Sequence, residues 1–144
     1  MRKRRKDRFE RLYAQLTELI PDLTELKPGD HRKSKARGFM DLSLDVLTRS
    51  KEKMRIALAH NYEQNGDLIP DPDMEIRVYL IDDCKKAEAL TYQDSRRYDA
   101  VYPQPGKVHP RLRKSLNNFL KIWLTNLKIQ GHSLAPQALA SVEA

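Results

Sequence analysis

The sequence predicts an α+β domain in which a four- to five-stranded antiparallel meander sheet is covered by an N-terminal and a C-terminal amphipathic helix. Two changes of hydrophobic period carry this reading. A helical period of about 3.6 before Pro21 becomes a period of 2 from Met40, and the helical period returns at Leu112. A third observation is the Pro- and Gly-bounded link YPQPGKVHP, which separates the last strand from the last helix. At 144 residues the chain is long enough for one domain that buries roughly two thirds of the surface its unfolded form exposes. Residues 1–132 are read as that domain, with a basic extension over 1–8 and an exposed linker over 27–37. Residues 133–144, small and polar, are expected to form a disordered tail.

Each element has its own signature. Phe9, Leu12, Tyr13, Leu16, Leu19 and Ile20 recur at helical spacing, and Pro21 ends the run because it drives the preceding residue out of the α region. Met40, Leu42, Leu44 and Val46 alternate with Asp41, Ser43 and Asp45, as a strand with one wet face requires. After a turn at Ser50–Lys53, a second strand places Met54, Ile56, Leu58, His60 and Tyr62 on one face, and Gln64–Pro72 reads as a polar loop. A third strand directs Met74, Ile76, Val78 and Leu80 inward. A tight turn at Asp82–Lys85 leads to a fourth strand over Lys86–Tyr92, and Tyr98–Tyr102 supplies a short fifth. A turn centred on Asp83 and Cys84 pairs Leu80 with Ala87 and Val78 with Ala89, sets Tyr79 opposite Glu88, and leaves Arg77 diagonal to Glu88. Leu112, Leu116, Phe119, Leu120, Trp123, Leu124 and Leu127 form the apolar stripe of the last helix, whose floor is the face of Met40, Leu42, Leu44, Ile56, Leu58, Ile76 and Val78.

Charge is distributed unevenly. The first 37 residues hold 12 Lys and Arg against 6 Asp and Glu, the stretch 38–99 holds 9 against 13, and the last 45 residues hold 6 against 1. Both ends are therefore basic around an acidic middle, a pattern that attracts polyanions without sequence selectivity. The run Arg2, Lys3, Arg4, Arg5 and Lys6 is the clearest polyanion signal, and Arg8 and Arg11 extend it along the first helix. That run resembles the start of a signal peptide, but Asp7, Arg8, Glu10 and Arg11 occupy the place of the apolar core, so export is not expected. No apolar run approaches the roughly 18 residues of a membrane span. The single cysteine, Cys84, excludes an internal disulfide and a thiolate cage and fits a cytoplasmic location.

Arg77, Tyr79 and Glu88 form the strongest polar cluster on the outer face, where a guanidinium fork could clamp a carboxylate or phosphate; a surface salt bridge is the plainer reading. Tyr102 and His109 flank the helix entrance and complete a candidate ligand site, although His109 before Pro110 also suits a helix cap. His60 lies among apolar residues and reads as a hydrogen-bonded structural histidine. Asp71 and Asp73 lie at one end of the third strand and Asp82 and Asp83 at the other, about 25 Å apart at ~3.3 Å per residue, so no metal is expected. No cofactor is expected either. Asn117 and Gln130 are read as partners of buried backbone. Ile122 and Ile129, seven residues apart on the helix face opposite the stripe, mark a contact for a second copy or a partner.

The segments PDMEIRVYLIDD, KAEALTYQ, YPQPGKVHP and LNNFLKIWL together resemble the bacterial domain of unknown function 1249 family, the YqiB-like proteins, over roughly Phe39 to His132. The order Met74, Arg77, Tyr79, Asp82, Ala87, Glu88, Gln93, Tyr102, Pro103, His109, Asn117, Phe119, Leu120, Trp123, Leu124 and Gly131 carries the resemblance. An acidic pair expected soon after the histidine is replaced by Pro110, Arg111, Leu112 and Arg113. The resemblance implies an uncharacterised cytoplasmic bacterial protein of unassigned activity. The function expected first is a non-catalytic binding or regulatory domain whose basic ends attract nucleic acid or an acidic protein. The alternative is a small-molecule or enzymatic site between the helix entrance and the sheet, using Arg77, Glu88, Tyr102 and His109. A third reading is a homo-oligomer formed through Ile122 and Ile129.

Overall fold

The structure, a computed structural model, describes residues 5–81 and 83–136. Helix α1 spans Arg8–Leu19 and begins with a capping box: Asp7 Oδ1 accepts the Glu10 N–H at 2.9 Å, and Glu10 Oε1 accepts the Asp7 N–H at 3.2 Å. Leu12, Leu16 and Leu19 are buried, at the helical spacing the sequence predicts. Leu16 has no exposed surface, so Leu16→Ala forfeits its packing at a cost of about 2–5 kcal/mol.

The sheet is antiparallel throughout: β1 (His31–Ser34), β2 (Leu42–Arg49), β3 (Lys53–Gln64) and β4 (Asp67–Tyr79) lie side by side in chain order, and β4 then pairs both with β5 (Lys86–Ala89) and with β6 (Thr91–Gln93), which pairs in turn with β7 (Tyr98–Ala100). The α+β class and the antiparallel sheet agree with the sequence, but among the described residues there are seven strands rather than four or five. One addition is β1, which lies inside the stretch 27–37 expected to be an exposed linker. It is an edge strand with a single buried residue, Ser34, so its sequence, HRKS, has no apolar alternation to reveal it.

A second correction concerns Gln64–Pro72. Asn65 and Gly66 both adopt left-handed backbone, with φ of 54° and 83°, and close a two-residue hairpin that pairs Gln64 with Asp67. The expected loop is thus an extension of β3 and β4. A register shift between Ala59 and Asn61 accommodates Pro72, which cannot donate to the ladder. The fourth expected strand is divided into β5 and β6 at Leu90, whose N–H still reaches Glu75 O at 2.8 Å while its carbonyl accepts from Val101 N at 2.9 Å.

The β4–β5 register is displaced by two residues from the expectation. Val78 faces Ala87, Ile76 faces Ala89, Arg77 faces Glu88 and Tyr79 faces Lys86. The connection is longer than a tight turn, so Leu80 falls outside β4, but a slip of two preserves which side chains point inward. Leu42, Leu44, Val46, Met54, Ile56, Leu58, Met74, Ile76 and Val78 form one buried cluster with leucines from both helices. Met40, expected on that floor, precedes β2 and is only partly buried. Ala87 and Ala89 leave room for α1, which packs chiefly on β5.

Helix α2 spans Pro110–Gln130 and buries Leu116, Leu120, Trp123, Leu124 and Leu127. Gly131, at φ 90°, ends it: the Gly131 N–H reaches Lys128 O and the His132 N–H reaches Leu127 O, the paired closure of a Schellman motif. Beyond it Leu134 is 1% exposed and its N–H bonds Leu19 O at 2.8 Å. The chain expected to be a tail from residue 133 is therefore anchored to α1 at its start.

Candidate functional site

The outward face of β5 carries Glu88 because its neighbours Ala87 and Ala89 face the core. Glu88 is nevertheless only 2% exposed. Three side chains close over it: Tyr79 donates to Oε1 at 2.7 Å, while Tyr102 and Arg113 Nε donate to Oε2 at 2.6 Å and 2.8 Å. Burial pushes the Glu88 carboxyl up, but bonds from Tyr102, Tyr79 and Arg113 outweigh it and hold the group below its ordinary value. Burial raises the Tyr102 hydroxyl, as does its bond to Glu88. Arg77 lies opposite Glu88 yet is not its ion-pair partner. Its guanidinium donates weakly to the Tyr79 hydroxyl at 3.4 Å and stands 5.5 Å from the centroid of the Tyr102 ring.

Two of the groups ordered by Glu88 line a cleft of about 340 Å³ where the first turns of α1 and α2 meet. Tyr102 and Val108 supply one wall and Arg113, Lys114 and Asn117 another, with Arg8 and Phe9 entering from α1. Arg113 also lies 4.7 Å from the centroid of the Phe9 ring. Arg8, Arg113 and Lys114 are cationic, and no acidic side chain lines this cleft among the described residues. The adjoining cleft, of about 330 Å³, differs: Asp7 and Glu88 balance Lys86 and Arg113 there, and Lys86 pairs with Asp7 at 3.0 Å.

Of the predicted ligand residues, Arg77, Tyr79, Glu88 and Tyr102 thus come together. His109 caps α2, its Nδ1 accepting the Leu112 N–H at 3.3 Å. The site also contains Arg113 and Lys114, which sequence reasoning did not select. Arg113, Asn117, Leu120 and Leu124 share one helical face, so a polar residue one turn before Asn117 was the available signal. Arg2, Lys3 and Arg4 lie outside the described residues, and Arg5 and Lys6 immediately precede the α1 cap. Ile122 and Ile129 are 59% and 78% exposed.

His60 and His132 form a second polar group near the end of α2. His60 Nδ1 lies 2.9 Å from the Asp41 carbonyl, so that nitrogen carries the proton. Its ring contacts Trp123 edge-on at 5.5 Å and His132 at 5.8 Å. His132 Nδ1 meets Ser34 Oγ at 2.8 Å, and that oxygen accepts the Ser133 N–H at 3.0 Å. Among the described residues no group of three His, Cys, Asp or Glu could hold a metal ion, and no helix is long and apolar enough to cross a membrane.

A family model described as Domain of unknown function (DUF6908) matches residues 14–133. The chain belongs to this family. DUF6908 is distinct from the 1249 family, so the resemblance to the YqiB-like proteins is overturned. Several of the residues that suggested it, such as Ala87, Leu120, Trp123 and Leu124, are buried sheet and helix positions that an antiparallel sheet with an amphipathic lid imposes. The DUF6908 match includes Glu88, Tyr102, Arg113 and Asn117 and begins after Arg8 and Phe9. No curated protein and no solved structure matches the chain.

Proposed function

We propose that this domain is a non-catalytic binding module for single-stranded nucleic acid, centred on the cleft between the first turns of α1 and α2. The observation that carries the reading is the meeting of the chain's two basic ends: Arg8 from one and Arg113 and Lys114 from the other line a cleft with no acidic side chain among its described residues. The basic run that includes Arg5 and Lys6 leads directly into α1. Glu88 and His109 are committed to protein partners, which favours binding over catalysis.

The test is fluorescence anisotropy of a labelled ten-nucleotide oligothymidylate over a range of salt concentrations. Binding is expected to weaken as salt rises, and Arg8→Ala and Lys114→Ala should each lower the log–log slope by about 0.7. Affinity independent of salt, or slopes unchanged in both variants, overturns the reading. Tighter binding of an acidic peptide of equal charge than of the oligonucleotide transfers the site to an acidic protein partner.

A further inference from the structure

We infer that the cleft takes one nucleotide unit of the strand, with the base against the Tyr102 ring and the phosphates on Arg8 and Lys114; this rests on the nucleic-acid reading above. A polyanion groove alone needs only charge. This cleft adds an aromatic wall whose position is held from two directions. The Tyr102 hydroxyl is bonded to Glu88 Oε2, and Arg77 stands over the ring without lining the cleft. The ring is thus backed by a cation and still lines the cleft, and 37% of the residue remains exposed.

The same carboxylate oxygen orients Arg113 Nε, so one buried acid sets both the aromatic wall and a cationic wall. Burying a carboxylate is costly unless hydrogen bonds satisfy it, and here those bonds come from side chains that line the two adjoining clefts. Glu88 is a positioning residue. Stacking of a base on a preset ring tolerates any sequence, and nearby cations neutralise the backbone. A duplex, whose bases are stacked on one another, offers no free base to this wall.

The experiment compares the labelled ten-nucleotide oligothymidylate with inorganic polyphosphate of ten phosphates, using the full chain at one salt concentration. The oligonucleotide is expected to bind at least about fivefold more tightly, the low end of what one stacked base contributes. Tyr102→Leu should remove that preference, whereas Tyr102→Trp, which keeps an aromatic face but loses the hydroxyl bonded to Glu88, should retain part of it. Glu88→Gln should reduce the preference by loosening Tyr102. Equal binding of both polymers by the parent protein, or equal loss of preference in Tyr102→Leu and Tyr102→Trp, overturns the nucleotide pocket while leaving the polyanion module standing. No binding of either polymer at low salt overturns both. Displacement of the oligonucleotide by equimolar thymidine monophosphate overturns the strand as ligand in favour of a free nucleotide.

Discussion

The Asn117 side chain takes the place of a neighbouring strand for Ala89: its Oδ1 accepts the Ala89 N–H at 2.8 Å, on the edge of β5 turned away from β4. Its amide nitrogen donates to the Arg113 carbonyl at 2.7 Å, one turn back in α2. A single residue, 1% exposed, therefore ties the start of the helix to an otherwise open sheet edge. Asn117→Ala leaves the Ala89 N–H buried without an acceptor, which costs about 1–3 kcal/mol. Urea unfolding should show the midpoint falling while the slope with denaturant stays constant, since the surface exposed on unfolding hardly changes.

Glu88 makes a different prediction because its partners are also polar. Glu88→Ala removes the acceptor for two tyrosine hydroxyls and the counter-charge of Arg113, whose side chain remains 40% exposed. Water can reach that guanidinium, so the loss should fall toward the lower end of the ~3–5 kcal/mol typical of a broken buried pair. Glu88→Gln retains an acceptor for one tyrosine and should cost less. Thermal melting of both variants beside the parent checks the order. An alanine variant as stable as the parent would remove the network from the stability of the fold.

Acid should destabilise the domain in two stages. Burial, followed by the neighbouring His60, lowers the His132 pKa from 6.5, although the Met40 carbonyl and Asp41 act in the opposite direction. The unfolded chain therefore takes up this proton first, and stability declines as pH falls below 6.5 until folded His132 also protonates. Glu88 acts later. Its folded pKa lies below 4.5, so its contribution is complete above 4.5 and disappears as pH falls through the folded value. Denaturant titrations at pH 7.5, 6.5 and 5.5, followed by the fluorescence of Trp123, the only tryptophan, should show the first stage. His132→Gln should flatten it, and an unchanged slope in that variant would reassign it.

Residues with a strong period were legible in the sequence, and residues whose role is set by a partner distant in the chain were not. The stripe from Leu116 to Leu127 and the alternation from Met74 to Val78 each report a buried face directly. β1 was hidden because an edge strand with one buried residue has no alternation to display. The β4–β5 register was missed because loop length, not side-chain pattern, decides between slips of two. Arg77, Tyr79 and Glu88 were legible as a polar cluster on the outer face of the sheet, and Tyr102 as a residue at the helix entrance. Arg113 was not, since its value comes from Glu88, 25 positions earlier.

The hairpin at Asn65 and Gly66 offers a local test. Nothing lies within 4 Å of the position a Gly66 side chain would occupy, so any penalty comes from the backbone φ of 83°. Gly66→Ala should cost about 1–2 kcal/mol, the price of left-handed backbone for a residue with a Cβ. Proton exchange should rise most at the β3–β4 tip if the loss is local. Exchange rising equally at Ile56 and Ile76 would mean that the hairpin supports the whole sheet.

Ile122 and Ile129 separate stability from association. Both point away from the core stripe of α2 and are largely exposed, so Ile122→Glu should change folding stability by no more than about 0.5 kcal/mol. Light scattering of parent and variant then isolates the role of the face. A parent larger than one chain that becomes monomeric on Ile122→Glu assigns self-association to this surface, because the fold itself gives the substitution nothing to disrupt. Equal masses for both proteins remove the isoleucines as a homo-oligomer contact. The α1–α2 cleft should bind oligonucleotide equally well in both proteins, since neither isoleucine lines it.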